Sequence, residues 1–333
     1  MTLAFTFLFF IAGIVLLVGG ADFAIVNAQR LGQRTGVSAV TLGVVVVAFG
    51  TSLPELLVTV LAALRGHPEI GIGNVVGSNI ANVGLIVGLA AALAPFATQR
   101  RLVRIELPIV LASTILLYIA GRDQQLSRPD ALVLLVCFSF YLAFVLTAER
   151  RSLLERAELA TSATLQDGLA ATARHHGHDG GHKDLESSPV LALKTAVGLC
   201  ALLGGSYLIV ENGAELARAM GVGETLIGLS LVAVGTSLPE LAAALAAARR
   251  RNADLIMGNI LGSNIFNILF ILGVTVMIRP FSIPPVVAHT DAPIAGLFSL
   301  ALLPLMLTGR VRRPAGVILL SSYAAYIGWR FVG

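Results

Sequence analysis

Two carboxylates stand in the middle of long apolar runs. Glu55 closes the stretch Gly50-Thr51-Ser52-Leu53-Pro54-Glu55, and Glu240 closes Gly235-Thr236-Ser237-Leu238-Pro239-Glu240. A charged side chain at the centre of a bilayer costs about 2.5–3.5 kcal/mol even on insertion scales, so it persists only beside a partner. Apart from Lys194, no Lys or Arg falls well inside an apolar run. The missing positive charge is therefore best supplied by a mobile cation. Two carboxylates neutralise one Ca²⁺ or two Na⁺, which gives the two ions a physical basis for competing at one place.

The neighbouring residue types suit a hard cation, which takes about six to eight oxygen ligands. On a helix Thr51, Ser52 and Glu55 share one face, as do Thr236, Ser237 and Glu240. Pro54 and Pro239 have no N–H, so the carbonyls of Gly50 and Gly235 lose their helical bond and the helices kink. Loosened carbonyls at that depth become further candidate ligands where they line a cavity. Ser78 with Asn82, and Ser263 with Asn267, are spaced to add hydroxyl and amide oxygens on single faces, although holding helices together is the plainer role for such groups. No Cys, His or Met joins these motifs, which argues against copper or zinc.

The elements that carry these residues follow from composition. Of 333 residues, 56% are hydrophobic and 13% charged, too few charges to cover a soluble surface, so a membrane protein is expected. A net charge of +4 does not point to nucleic acid, because most basic residues sit singly or in twos and threes between apolar runs. Runs of spanning length lie near 3–28, 38–64, 71–95, 102–121, 130–148, 190–216, 223–248, 255–278, 284–308 and 314–332. The first opens without a basic leader or a small-residue cleavage site and is expected to be a spanning helix rather than a removed signal. Cys137 and Cys200 lie inside such runs and read as small buried hydrophobes.

Basic residues orient the spans. Arg30 and Arg34, Arg100, Arg101 and Arg104, the arginines and lysine of the polar stretch 149–189, Arg249 to Arg251, and Arg310, Arg312 and Arg313 all follow odd-numbered spans. Even-numbered spans are followed only by Arg65, Arg122, Arg128, Arg218 and Arg279. The odd loops are then cytoplasmic, which puts both termini outside and makes 149–189 a cytoplasmic linker.

Shifted by 185 residues, the chain matches itself without a gap. Gly19-Gly20 falls on Gly204-Gly205, Glu55 on Glu240, Gly73-Asn74 on Gly258-Asn259, Gly77-Ser78-Asn79 on Gly262-Ser263-Asn264, Asn82 on Asn267 and Tyr141 on Tyr326, while Glu106 recurs as Asp291. Five spans per copy is odd, so the second copy enters the membrane upside down. The expected fold is an all-α membrane protein of ten transmembrane helices in two inverted five-helix repeats, 1–148 and 190–333, with the site at the midplane between them.

These doubled motifs resemble those of the cation/calcium exchanger superfamily, specifically its prokaryotic Na⁺/Ca²⁺ exchangers. Its two α-repeats, here about 36–96 and 221–281, carry G-T-S-x-P-E followed by G-N-x-x-G-S-N. The resemblance covers essentially the whole chain. It implies that Glu55 and Glu240 are the central ligands of both Ca²⁺ and Na⁺. It also implies that Thr51, Ser52, Thr236, Ser237, Ser78 and Ser263 complete the ion sites, that Asn82 and Asn267 occupy the remaining polar positions, and that spans 1 and 6 slide across a rigid core. Members often carry Asp at one or both of the Asn positions, so the doubled Asn speaks against K⁺-dependent exchange. The Ca²⁺/H⁺ branch has Glu where this chain has Gly77 and Gly262, which lowers the case for proton coupling.

The expected function is Ca²⁺/Na⁺ antiport across a cell (inner) membrane, with Ca²⁺/H⁺ or other divalent cation/H⁺ antiport as the alternative. The expected partners are the two ions and the lipid bilayer, with no cofactor, nucleic acid or obligate protein partner. A channel would build selectivity from a ring of subunits, and an intramembrane enzyme would need a catalytic His or metal triad. His175, His176, His178 and His182 in the linker read as a solvated tract rather than a metal site. Glu106 and Asp291 are expected as interfacial charges, and Glu211 and Glu215 as facing outer water.

Overall fold

The structure, a computed structural model, describes residues 3–171, 186–220 and 233–332, almost all of them helical. Helix α1 (Leu3–Thr35) exposes Phe5, Phe7, Leu8 and Val15, as an apolar helix facing lipid must. Ser38, whose hydroxyl accepts from the Thr41 N–H, caps the start of α2 (Ala39–Thr51). Helix α3 (Leu53–Leu64) leaves α2 at an angle of 43°. Then come α4 (Pro68–Leu93), α5 (Leu102–Ala120) and α6 (Arg128–Ala171). The second half contains α7 (Ser188–Ala219), α8 (Ala233–Thr236), α9 (Leu238–Arg249), α10 (Ala253–Ile278), α11 (Val287–Leu307) and α12 (Arg313–Val332).

Among the described residues, seven helices are long and apolar enough to cross a membrane, or eight if α2 and α3 form one broken span. The chain is therefore a multi-pass membrane protein. Eight of the expected runs correspond to these elements, and α12 covers the run near 314–332. The first part of the expected seventh span, and the histidines of the linker, lie outside the described residues.

One expectation, that both cysteines are buried, needs correction. The polar stretch from 149 begins as helix, α6 continuing to Ala171. Its residues 149–171 are rich in Ala, Leu, Glu and Arg, strong helix formers whatever their polarity. Cys200 is exposed on α7 rather than buried, while Cys137 is half-buried.

Helices α4 and α10 form the centre and are the most deeply buried of the long helices. At the periphery α1 and α7 cross closely because glycines line the seam. A Cβ at Gly20 would lie 2.5 Å from the Leu202 nitrogen, and one at Gly205 2.3 Å from the Leu17 nitrogen. Only hydrogen fits there. Gly19 and Gly204 have nothing within 4 Å, so the expected Gly pairs contribute one packed glycine each.

Two short ribbons tie distant loops together. Strand β1 (Phe96–Ala97) pairs antiparallel with β4 (Arg310–Val311), and β2 (Gln125–Leu126) with β3 (Phe281–Ser282). Phe96 meets Val311, and Leu126 meets Phe281. Under the 185-residue offset one pair becomes the other. Helix α5 runs from one ribbon to the other and separates them by roughly 28 Å at a rise of about 1.5 Å per residue.

Candidate functional site

The break between α2 and α3 falls at Ser52, whose φ of −85° and ψ of 8° leave the helical region. Pro54 sits at the start of the new helix, where a missing N–H costs nothing. The expected kink is thus a full interruption, and Glu55 lies in the first turn of α3. There the free amides and the positive end of the helix dipole favour a carboxylate. Meanwhile α2 ends at the same point with its dipole negative and its last carbonyls unbonded within the helix, an arrangement suited to a cation. Ser237, at φ −89° and ψ 3°, breaks α8 from α9 in the same way, with Glu240 in the first turn of α9.

Both carboxylates are 1% exposed. Ser52 donates its hydroxyl to Glu240 Oε1 at 2.9 Å and lies 3.0 Å from Ser263 Oγ. In mirrored fashion Ser237 Oγ lies 3.5 Å from Glu55 Oε1 and 3.3 Å from Ser78 Oγ, with Ser78 Oγ also 3.5 Å from Glu55 Oε1. Thr51 Oγ1 donates to Asn259 Oδ1 at 3.3 Å, and Thr236 Oγ1 to Asn74 Oδ1 at 3.1 Å. Each half therefore completes the other.

Asn82 Nδ2 donates to Asn264 Oδ1 at 2.8 Å, and Asn267 Nδ2 to Asn79 Oδ1 at 3.0 Å. Asn82 begins a stretch of wider, π-type turns over Asn82–Val87, and Asn267 lies in another over Phe266–Leu272. Such turns recur where a helix must re-aim its side chains. All ten residues expected at the site are thus buried and bonded between the two halves, in separate groups around Glu55, around Glu240 and among the asparagines. Asn74, Asn79, Asn259 and Asn264 belong to these groups as well. They lie in the doubled G-N and G-S-N motifs, and that repetition was the signal available for them.

Among the residues expected at the site, four buried oxygens have no hydrogen-bond partner among the described residues: Glu55 Oε2, Glu240 Oε2, Asn82 Oδ1 and Asn267 Oδ1. They form two pairs under the repeat, and all four are acceptors. Among the described residues no Lys, Arg or His pairs with either Glu. A buried acceptor left bare costs about 1–3 kcal/mol, more if charged. One donor, Asn259 Nδ2, is bare as well, but it stands against four acceptors, two of them carboxylate oxygens, so the chemistry of the cluster suits a cation.

Glu106 and Asp291 are buried within the protein, being 0% and 5% exposed. Each is met by an arginine: Arg101 Nε, at the start of the same helix, lies 3.7 Å from Glu106, and Arg330 Nε, on α12, 3.3 Å from Asp291. Tyr326 also donates to Asp291 at 3.1 Å. Arg101 further reaches Glu149 at 3.4 Å, whose carboxylate accepts from Ser38 N, Ser38 Oγ and Thr41 Oγ1. This cluster fixes the entry to α2 and is distinct from the central network.

The sodium/calcium exchanger protein profile matches residues 5–147 and 190–332, two stretches offset by 185 residues at both ends. The chain is 34% identical over 319 residues to inner membrane protein YrbG of Escherichia coli (strain K12), covering 95% of this chain and 94% of that protein. It is 34% identical over 348 residues to the sodium/calcium exchanger MaX1 of Methanosarcina acetivorans, covering 96% and 97%. Among solved structures, the sodium-calcium exchanger NCX_Mj soaked with 10 mM Na⁺ and zero Ca²⁺ superposes with a TM-score of 0.82 at 28% identity, covering 98% of this chain and 99% of that one. With matches along nearly its whole length, the chain belongs to the sodium/calcium exchanger protein family.

Proposed function

We propose that the protein exchanges Ca²⁺ for Na⁺ by alternating access, with both ions bound between Glu55 and Glu240. The observation that carries this reading is the set of four bare acceptor oxygens, two from carboxylates and two from amides, buried with no protein cation beside them among the described residues. One Ca²⁺ or two Na⁺ neutralise the two acids, so one ion class displaces the other without leaving the acids uncompensated. Ser52 and Ser237, each donating across to the opposite carboxylate, hold the acids in place, while Thr51, Thr236, Ser78, Ser263, Asn82 and Asn267 supply further oxygens.

The architecture that accompanies this reading is ten spans in two inverted repeats, 1–148 and 190–333, with both termini outside and the intervening linker cytoplasmic. The exchange of ribbon partners under the 185-residue offset supports it, since β1 and β2 sit at opposite ends of α5. The glycine seam supports α1 and α7 as the moving pair, because close-packed backbones without interlocking side chains can slide.

The test is ⁴⁵Ca²⁺ uptake into proteoliposomes loaded with Na⁺, against the same vesicles carrying only a pH gradient. Na⁺-dependent uptake is expected. Uptake driven by the pH gradient alone would assign the protein to Ca²⁺/H⁺ exchange, and flux needing no counter-ion would make it a channel.

A further inference from the structure

The amides around the carboxylates form a chain of fixed polarity. Asn264 Nδ2 donates to the backbone carbonyl of Asn79 at 3.4 Å, and Asn79 Nδ2 to that of Asn264 at 3.1 Å. All four side chains in this relay are 2% exposed or less. The two ends of a carboxamide are nearly equal in shape and opposite in polarity, so its neighbours decide which way it faces. A backbone carbonyl only accepts. The Asn79 carbonyl therefore selects the NH₂ end of Asn264 and turns Asn264 Oδ1 toward Asn82. Asn82 must answer with its own NH₂, at 2.8 Å, which leaves Asn82 Oδ1 as the end without a protein partner. The mirrored relay runs from the Asn264 carbonyl through Asn79 to Asn267, and leaves Asn267 Oδ1 bare.

We propose that Asn79 and Asn264 are positioning residues that set the polarity of the ion site. Each holds the carboxamide of its cross-repeat partner, Asn267 or Asn82, with the oxygen toward the transported ion. Without that hold, either amide could turn and present its NH₂, the positive end of the dipole, to a cation. In this chain an amide at 82 and 267 answers the Oδ1 of Asn264 or Asn79 with a donor. This inference deepens the Glu55–Glu240 reading and rests on it.

The experiment is a pair of double-mutant cycles on the full-length protein in proteoliposomes, reading KM and maximal rate for Ca²⁺ uptake. The matched pairs are Asn264 with Asn82 and Asn79 with Asn267. The crossed pairs are Asn264 with Asn267 and Asn79 with Asn82. Each single change to Ala should raise KM about tenfold, the scale of one buried hydrogen bond. Maximal rate should change by less than about twofold if ion binding rather than the transport step is affected.

Matched double variants should be no worse than the single variant at 82 or 267, because the relay acts only through that amide. Crossed doubles should multiply to about a hundredfold. Matched pairs that multiply like crossed ones, or single variants with unchanged KM, would overturn the positioning role. If an Ala variant does not fold, Asn264→Ser and Asn79→Ser enter the same cycles under the same criteria. Glu55→Gln is assayed alongside. Wild-type uptake in Glu55→Gln would remove the site itself, whereas its loss together with multiplying matched pairs would remove only the positioning role.

Discussion

Ser52 donates to Glu240 at 2.9 Å, although Glu55 stands only three residues away on its own chain segment. Each serine marks the break before the helix that bears one carboxylate, yet serves the other. Movement of one bent helix is thereby felt at the opposite acid.

Removing the hydroxyls should expose this cross-wiring. Ser52→Ala takes away the 2.9 Å donor to Glu240, whereas Ser237→Ala removes a contact of 3.5 Å to Glu55. With a bond to a charged group worth about 1.5–3 kcal/mol, Ser52→Ala is expected to weaken apparent Ca²⁺ affinity by roughly tenfold or more. Ser237→Ala should cost less. Ca²⁺ concentration series on reconstituted protein decide the order, and a larger effect at Ser237 would contradict it.

Glu55→Gln and Glu240→Gln keep the shape of the side chain and remove its charge. Either should lower ⁴⁵Ca²⁺ uptake by about a hundredfold or more, on the scale of one charge-assisted contact. Each leaves a bare buried acid fewer in the apo protein, so thermal stability without ions should hold or rise. Transport retained in both variants would disqualify the pair.

The glycine seam makes a contrast between neighbours. In Gly205→Ala the new Cβ would meet the Leu17 nitrogen at 2.3 Å, while in Gly204→Ala it would meet nothing within 4 Å. Overpacking costs about 1–3 kcal/mol, so Gly205→Ala should lower both stability and transport rate. Gly204→Ala should leave both near wild type. Equal behaviour of the two variants, measured by melting in detergent and by initial uptake, would refute the seam as drawn.

Arg101 and Arg330 each neutralise a buried acid, but with different reach. Arg101 serves Glu106 and Glu149, whose side chains are 0% and 6% exposed, whereas Arg330 meets Asp291 from a half-open position. Arg101→Ala should destabilise by about 2–4 kcal/mol because it strands buried charge. Arg330→Ala should cost about 1 kcal/mol after solvent screening. Melting temperatures of the purified variants test the ranking.

What could be read from sequence alone tracks how local each signal is. Glu55 and Glu240 stood out because a charge in an apolar run is conspicuous, and the 185-residue repeat made the two equivalent. Pro54 marked the bend, though not that Ser52 would interrupt the helix and give Glu55 a first-turn position. The relay through Asn79 and Asn264 was hidden, since their partners lie across the fold and periodicity reports only faces within one helix. The pairing of Asp291 with Arg330 was hidden for a similar reason, since the two lie on different helices. The helical residues 149–171 escaped a search by hydropathy, which is blind to polar sequences with strong helix propensity.

The crossing of hydroxyls and carboxylates also has a timetable. Glu55 and the serine that faces it are 182 residues apart. At about 5–20 residues per second of synthesis, Ser237 is made roughly 10–40 s after Glu55. Through that interval the first five helices hold an acid whose partner from the second half does not yet exist. The nascent half must wait in the translocon, keep Glu55 protonated, or take up an ion early, and the finished molecule closes only when the second half arrives.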